Sequence, residues 1–146
     1  MTYAMGESLQ AAVFERMAND AGIGELARGA VFDAAPMAPP DLFVALGPER
    51  TTGRSDVTGR GAIHQFRISV VTRREGFMDA KALAARVSDA LDGADLTLTR
   101  GRLVSMRFVR AEARRDKGAG ARRIDLWFRA RLDDDGSDDI NSGETT

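Results

Sequence analysis

The chain predicts an α+β domain: a mainly antiparallel sheet with two helices packed on one face. Three stretches carry that expectation. In Ile63–Thr72, Phe66, Ile68 and Val70 alternate with Gln65, Arg67 and Ser69, the period of a strand with one apolar and one polar face. After the break Arg73-Arg74-Glu75-Gly76, the period changes: Ala80, Leu83, Ala84, Val87 and Leu91 form one helical stripe. Near the end, Ile124, Leu126, Phe128, Ala130 and Leu132 alternate with Arg123, Asp125, Trp127, Arg129 and Arg131. A half-polar strand followed at once by a half-polar helix suits one layer of sheet covered by one layer of helix.

The other elements follow in chain order. Leu9, Val13 and Met17 predict a first helix over Glu7–Asn19, ended by Asn19-Asp20-Ala21-Gly22, with a further short turn at Ile23–Leu26. Ala30–Asp33 is a short strand candidate, and Pro36, Pro39 and Pro40 forbid regular structure up to Asp41. Leu42–Leu46 reads as a strand closed by Gly47-Pro48. Glu49–Gly61 is polar and glycine-rich, with Val57 its only large apolar residue, and is expected as the tip of a long hairpin. Leu96–Leu103 reads as a small hairpin leading into a strand over Val104–Arg114, and Asp116–Gly120 as a turn.

A chain of 146 residues with 43% apolar and 29% charged residues fits one globular domain able to bury an ordinary core. It has no cysteine, which excludes disulfides and thiolate metal sites. No apolar run approaches the roughly 20 residues of a membrane span, no secretory signal opens the chain, and a cytoplasmic origin without a membrane partner is expected. Of the 22 acids, six lie in residues 133–146, which hold no base; residues 1–132 carry the other 16 against 21 bases. Residues 1–132 are therefore expected as a mildly basic domain and residues 133–146 as an acidic, disordered tail. Nineteen of the 21 bases are arginine, the better residue for bidentate interface pairing, although a GC-rich genome yields the same bias.

No catalytic, cofactor-binding or metal-binding set emerges. The single histidine, His64, has no cysteine or second histidine to share a metal, and reads as a packed or hydrogen-bonded residue. Nucleophile-elbow, dinucleotide and phosphate-loop patterns are missing. Counted from Asp133, a calcium loop would need an acid at Ser137 and a glycine at Asp138, so that pattern fails. The pairs Arg73-Arg74, Arg114-Arg115 and Arg122-Arg123 raise a nucleic-acid footprint, but Trp127 is the only aromatic on a polar strand face. The alternative is pairing with neighbours at strand ends or across a subunit interface.

Taken together, several spaced residues carry a family likeness. After the central strand come Gly76, Ala80, Ala84, Val87 and Ala90-Leu91, then Leu96-x-Leu98 and Gly101-Arg102-Leu103-Val104. Phe108-x2-Ala111, Arg115-Asp116 and Arg122-Arg123 before Phe128-Arg129-Ala130 follow; the first half adds Val31-Phe32-Asp33 and Phe43-Val44-x-Leu46-Gly47. Over about residues 8–132 the chain resembles the tail-terminator (tail completion, head–tail joining) proteins of long-tailed phages and bacterial gene transfer agents. The resemblance implies a structural protein without enzymatic activity or cofactors, located at the head–tail junction of a phage-like particle. It implies a homo-oligomeric ring, hexameric in similar proteins, that caps the tail tube protein and meets a head connector or stopper protein. DNA would pass through the bore without specific binding.

Within that reading, Arg50, Arg54, Asp56, Arg60, Arg73, Arg114, Arg122 and Arg123 are the candidate assembly interface. An arginine-rich nucleic-acid-binding module is the alternative, and predicts affinity that falls steeply with salt. A small enzyme working through His64 and nearby carboxylates is a third, and predicts a cleft around His64.

Overall fold

In the computed structural model, residues 3–53, 61–116, 118 and 120–134 are described. Arg54, Asp56 and Arg60 of the expected hairpin tip, and the acidic segment beyond Asp134, lie outside the described residues. The element order is α1 (Gly6–Ala18), α2 (Ala21–Ala27), β1 (Val31–Phe32), β2 (Leu42–Gly53), β3 (Gly61–Thr72), α3 (Met78–Leu91), β4 (Arg102–Asp116) and β5 (Ala121–Asp133). The strands form one sheet in the order β1-β2-β3-β5-β4, antiparallel except for the short parallel pair of β1 with β2. The α+β class holds.

The core lies between the helices and one sheet face. Alternate residues of β3 (His64, Phe66, Ile68, Val70) and of β5 (Ile124, Leu126, Phe128, Ala130, Leu132) are buried on that face. The stripe of α3 meets them with Leu83, Val87 and Leu91, and α1 adds Leu9, Val13 and Met17. Each such fully buried side chain stabilises the fold by about 2 kcal/mol. Phe66, Phe128 and Phe108 stand opposite one another on β3, β5 and β4, with ring centroids 5.6 and 5.8 Å apart. This row ties the two large hairpins together.

Several local expectations are corrected. The short turn of helix expected at Ile23–Leu26 forms as a third helix of seven residues, because Asp20 does more than end α1. Its carboxylate accepts the Ile23 N–H at 2.9 Å, capping α2, which Arg28 (φ 52) and Gly29 (φ 85) then close. β2 does not stop at Gly47-Pro48. A bulge between Leu46 and Glu49 takes up Pro48, where no ladder hydrogen bond is needed, and pairing resumes from Glu49 to Gly53. The hairpin expected over Leu96–Leu103 does not form. Residues 94–98 are irregular, with Leu96 and Leu98 packed against the core, and Gly101 (φ 80) turns beneath Met5 into β4. Lastly, β5 runs past Leu132: Asp133 pairs with Gly61, and Asp134 is buried with its carboxylate 2.9 Å from Arg100 Nη2.

Candidate assembly face

The sheet face turned away from the helices is built by the same alternation that builds the core. On β5 it presents Arg123, Asp125, Trp127, Arg129 and Arg131. Register adds Gln65, Arg67 and Ser69 from β3, Arg107, Arg110, Glu112 and Arg114 from β4, and Arg50 from β2. Residues directly opposite on neighbouring strands share a face, so, with the pair Arg102 and Asp133 at its end, the face carries nine arginines against Glu112, Asp116, Asp125 and Asp133.

Its two ends differ. Toward Asp116, Asp125 is 1% exposed and holds a network: Ser69 Oγ donates to its Oδ1 at 2.7 Å and Arg123 Nε at 3.3 Å. Arg114 Nη2 lies 3.5 Å from Oδ2, and Arg67 Nε 3.8 Å from Oδ1. One carboxylate thus serves three guanidiniums. In the next row Arg110 lies over the Trp127 ring, 3.9 Å from its centroid, a cation–π contact. Beyond that, Arg50, Gln65, Arg129 and Arg107 stand in one row across all four long strands, every one exposed. No carboxylate lies within 4.0 Å of these three arginines among the described residues.

The predicted interface residues separate. Arg50, Arg114 and Arg123 belong to this face. Arg122 faces the helix side, where it donates to Arg74 O at 3.2 Å and sits 5.8 Å from the Phe77 ring centroid. Arg73 donates to Pro39 O at 3.2 Å, at the margin of the face. Arg67, Arg107, Arg110, Arg129 and Arg131 were missed, although the alternation around Phe128 marks Arg129 and Arg131 and that around Phe66 marks Arg67. The proline segment borders the face near Phe43 and Val71, with Pro39 and Ala34 lining a cleft of about 560 Å³.

His64 is packed rather than presented. It is fully buried, with Nδ1 2.9 Å from Glu49 Oε2 and 3.2 Å from Thr51 Oγ1. A carboxylate only accepts, so Nδ1 carries the proton. Tyr3 stacks on the ring, with centroids 6.1 Å apart, and its hydroxyl donates to Glu49 Oε1 at 2.7 Å. That bond raises the Tyr3 pKa above its ordinary value. Among the described residues the imidazole has no exposed surface, and no cluster of three or more potential metal ligands occurs. Among the described residues no helix is long and apolar enough to cross a membrane.

The comparisons with known proteins agree in direction. Residues 11–133 match the family model described as "Tail completion protein gp17". A chain in the solved structure "Virion of native gene transfer agent (GTA) particle" is similar at 54% identity and a TM-score of 0.83. The alignment covers 90% of this chain and 99% of that one. No curated protein matches. With a family model spanning nearly the whole domain and a half-identical structural relative, the chain belongs to the tail completion protein gp17 family.

Proposed function

We propose that this structural component of phage-type tails acts as a ring subunit that terminates the tail tube and joins it to the head connector. The single observation carrying this reading is the family match over residues 11–133, together with likeness to a gene transfer agent virion chain along almost its whole length. The surface supports it. β4 is the last strand of the sheet, its outer edge has no strand partner among the described residues, and it exposes Val104, Phe108 and Val109. An open edge bearing apolar side chains is a contact surface. A copy that docks head-to-tail on the next either closes into a ring or polymerises without limit, and a terminator needs closure. Six copies, a neighbouring tube protein, a connector above and DNA through the bore complete the reading.

The arginine face is also what a nucleic-acid module would use, but Trp127 lies under Arg110 and is not open for base stacking. Electron microscopy of assembled particles is the test. A ring of this chain is expected between tube and head, and particles whose junction lacks it would overturn the proposal.

A further inference from the structure

We propose that the arginine face of each copy is covered by the acidic helix layer of the next copy. This rests on the ring reading above and adds which two surfaces meet.

The charges of this chain are sorted by layer. Strands β2 to β5 carry eleven arginines against five acids, while the remaining described residues carry twelve acids against seven bases. With a net charge of −1 over the whole chain, this is segregation rather than excess. On the sheet, the row Arg50, Arg129 and Arg107 has no carboxylate within ion-pair distance among the described residues. On the other side, Glu7, Glu15, Asp89 and Asp95 are exposed, and none has an arginine or lysine partner among the described residues. Glu15, Asp20 and Asp95 line a polar cleft of about 450 Å³ with Thr97 and a single base, Arg16, whose Nε donates to Ala90 O.

Arginine forks take carboxylates bidentately, and oppositely charged faces steer and register an encounter. The two faces lie on opposite sides of one molecule, so neither fits itself. A contact between them is head-to-tail, the kind that builds rings.

DNA fits the face less well. Each guanidinium that neutralises a phosphate releases counterions and tightens binding. Nine arginines per copy turned toward a bore would hold a duplex that has to move. The acidic segment 135–146 of the chain is a third occupant, with four acids of its own.

Reciprocal charge reversal tests the proposal in cells that make the particle and lack their own copy of the gene. One variant reverses the sheet, Arg50→Glu/Arg129→Glu. The other reverses the helix layer, Glu15→Arg/Asp95→Arg. Each alone is expected to lower the number of complete particles more than about tenfold, because like-charged faces then meet. Co-expressed, they are expected to restore particles, since the reversed sheet fits the reversed helix layer in an alternating ring. A third variant ending at Asp134 is expected to give normal particles.

If either reversal alone gives normal particles, the proposal fails while the ring reading stands. Failure of the mixed pair would place the arginine row against a different protein, and this too overturns the proposal. Loss of particles only in the shortened variant would assign the face to the acidic segment. Salt-steep duplex binding by the wild-type chain, abolished by the sheet variant while the helix-layer variant assembles normally, would assign it to DNA. Wild-type particles without a ring of this chain would instead sink the ring reading itself. Melting temperatures of the purified variants confirm folding. The single changes Arg129→Glu and Glu15→Arg replace either double variant that melts early.

Discussion

Arg107 and Arg129 stand directly opposite each other on β4 and β5, two exposed guanidinium side chains in one cross-strand pair. Like charges in that position oppose pairing of the strands. The pair joins the edge strand β4 to β5, its cost falls on the isolated chain, and a carboxylate brought against it would relieve that cost.

The substitution Arg129→Glu should therefore stabilise the isolated chain while damaging assembly. Turning a repulsive pair into an attractive one is worth roughly 0.5–1 kcal/mol. Urea unfolding at low salt should show the gain, and high salt should shrink it by screening. An unchanged or lower midpoint would mean the two guanidiniums do not repel across the strands.

Asp125→Asn should destabilise strongly. The carboxylate is buried and balances Arg67, Arg114 and Arg123, whose side chains are partly exposed. Neutralising it leaves three guanidiniums without their counter-charge, a loss of about 2–3 kcal/mol. In a domain of this size the melting temperature should fall by roughly 5–10 °C. A fall within a degree would show that solvent already screens these arginines.

Tyr3 is the only tyrosine, so its phenolate absorbance reports one group. Its hydrogen bond to Glu49 raises the folded pKa above the ordinary tyrosine value of 10.0. A raised folded pKa means stability that is fully present below pH 10 and lost as pH rises through the folded value. The native titration midpoint should lie above that of the urea-unfolded chain, and Glu49→Gln should bring the two together. Coincident midpoints in the wild type would show that the Tyr3–Glu49 bond is not made in solution.

Replacing residues 54–60 with an Asn-Gly turn should leave a folded chain that no longer caps tails. Gly53 pairs with Ala62, so the strands that this segment joins are already in register without it. Arg54, Asp56 and Arg60 offer charged groups for pairing with a neighbouring ring. Electron microscopy should show tubes of uncontrolled length or tails without heads, at an unaltered melting temperature. Normal particles would remove the segment from the mechanism.

Much of the fold was legible in the pattern of residues. The stripe Ala80, Leu83, Ala84, Val87, Leu91 is the buried face of α3, and the alternation at Phe66–Val70 and Ile124–Leu132 is the core face of β3 and β5. Periodicity reports which side of its own element a residue occupies, and burial of that side is what the pattern encodes. The break at Gly47-Pro48 misled, because a proline in a bulge looks the same in sequence as a proline after a strand. Leu96-x-Leu98 misled in the same way: two apolar residues two apart also suit an irregular segment laid against a core.

Spacing and composition alone put Arg123, Asp125, Trp127, Arg129 and Arg131 on one side of a strand and make the last 14 residues acidic. That Arg50, Arg129 and Arg107 form one row, that Asp125 meets Ser69 56 residues away, and that His64 closes onto Glu49 emerges in the folded sheet alone. The reason is register. A slip of one residue turns a strand's polar set to the other face. What sets the slip here is bulges at Leu46/Glu49, Leu103/Ser105 and Phe108/Arg110, fixed by packing across the sheet rather than by any single strand's pattern.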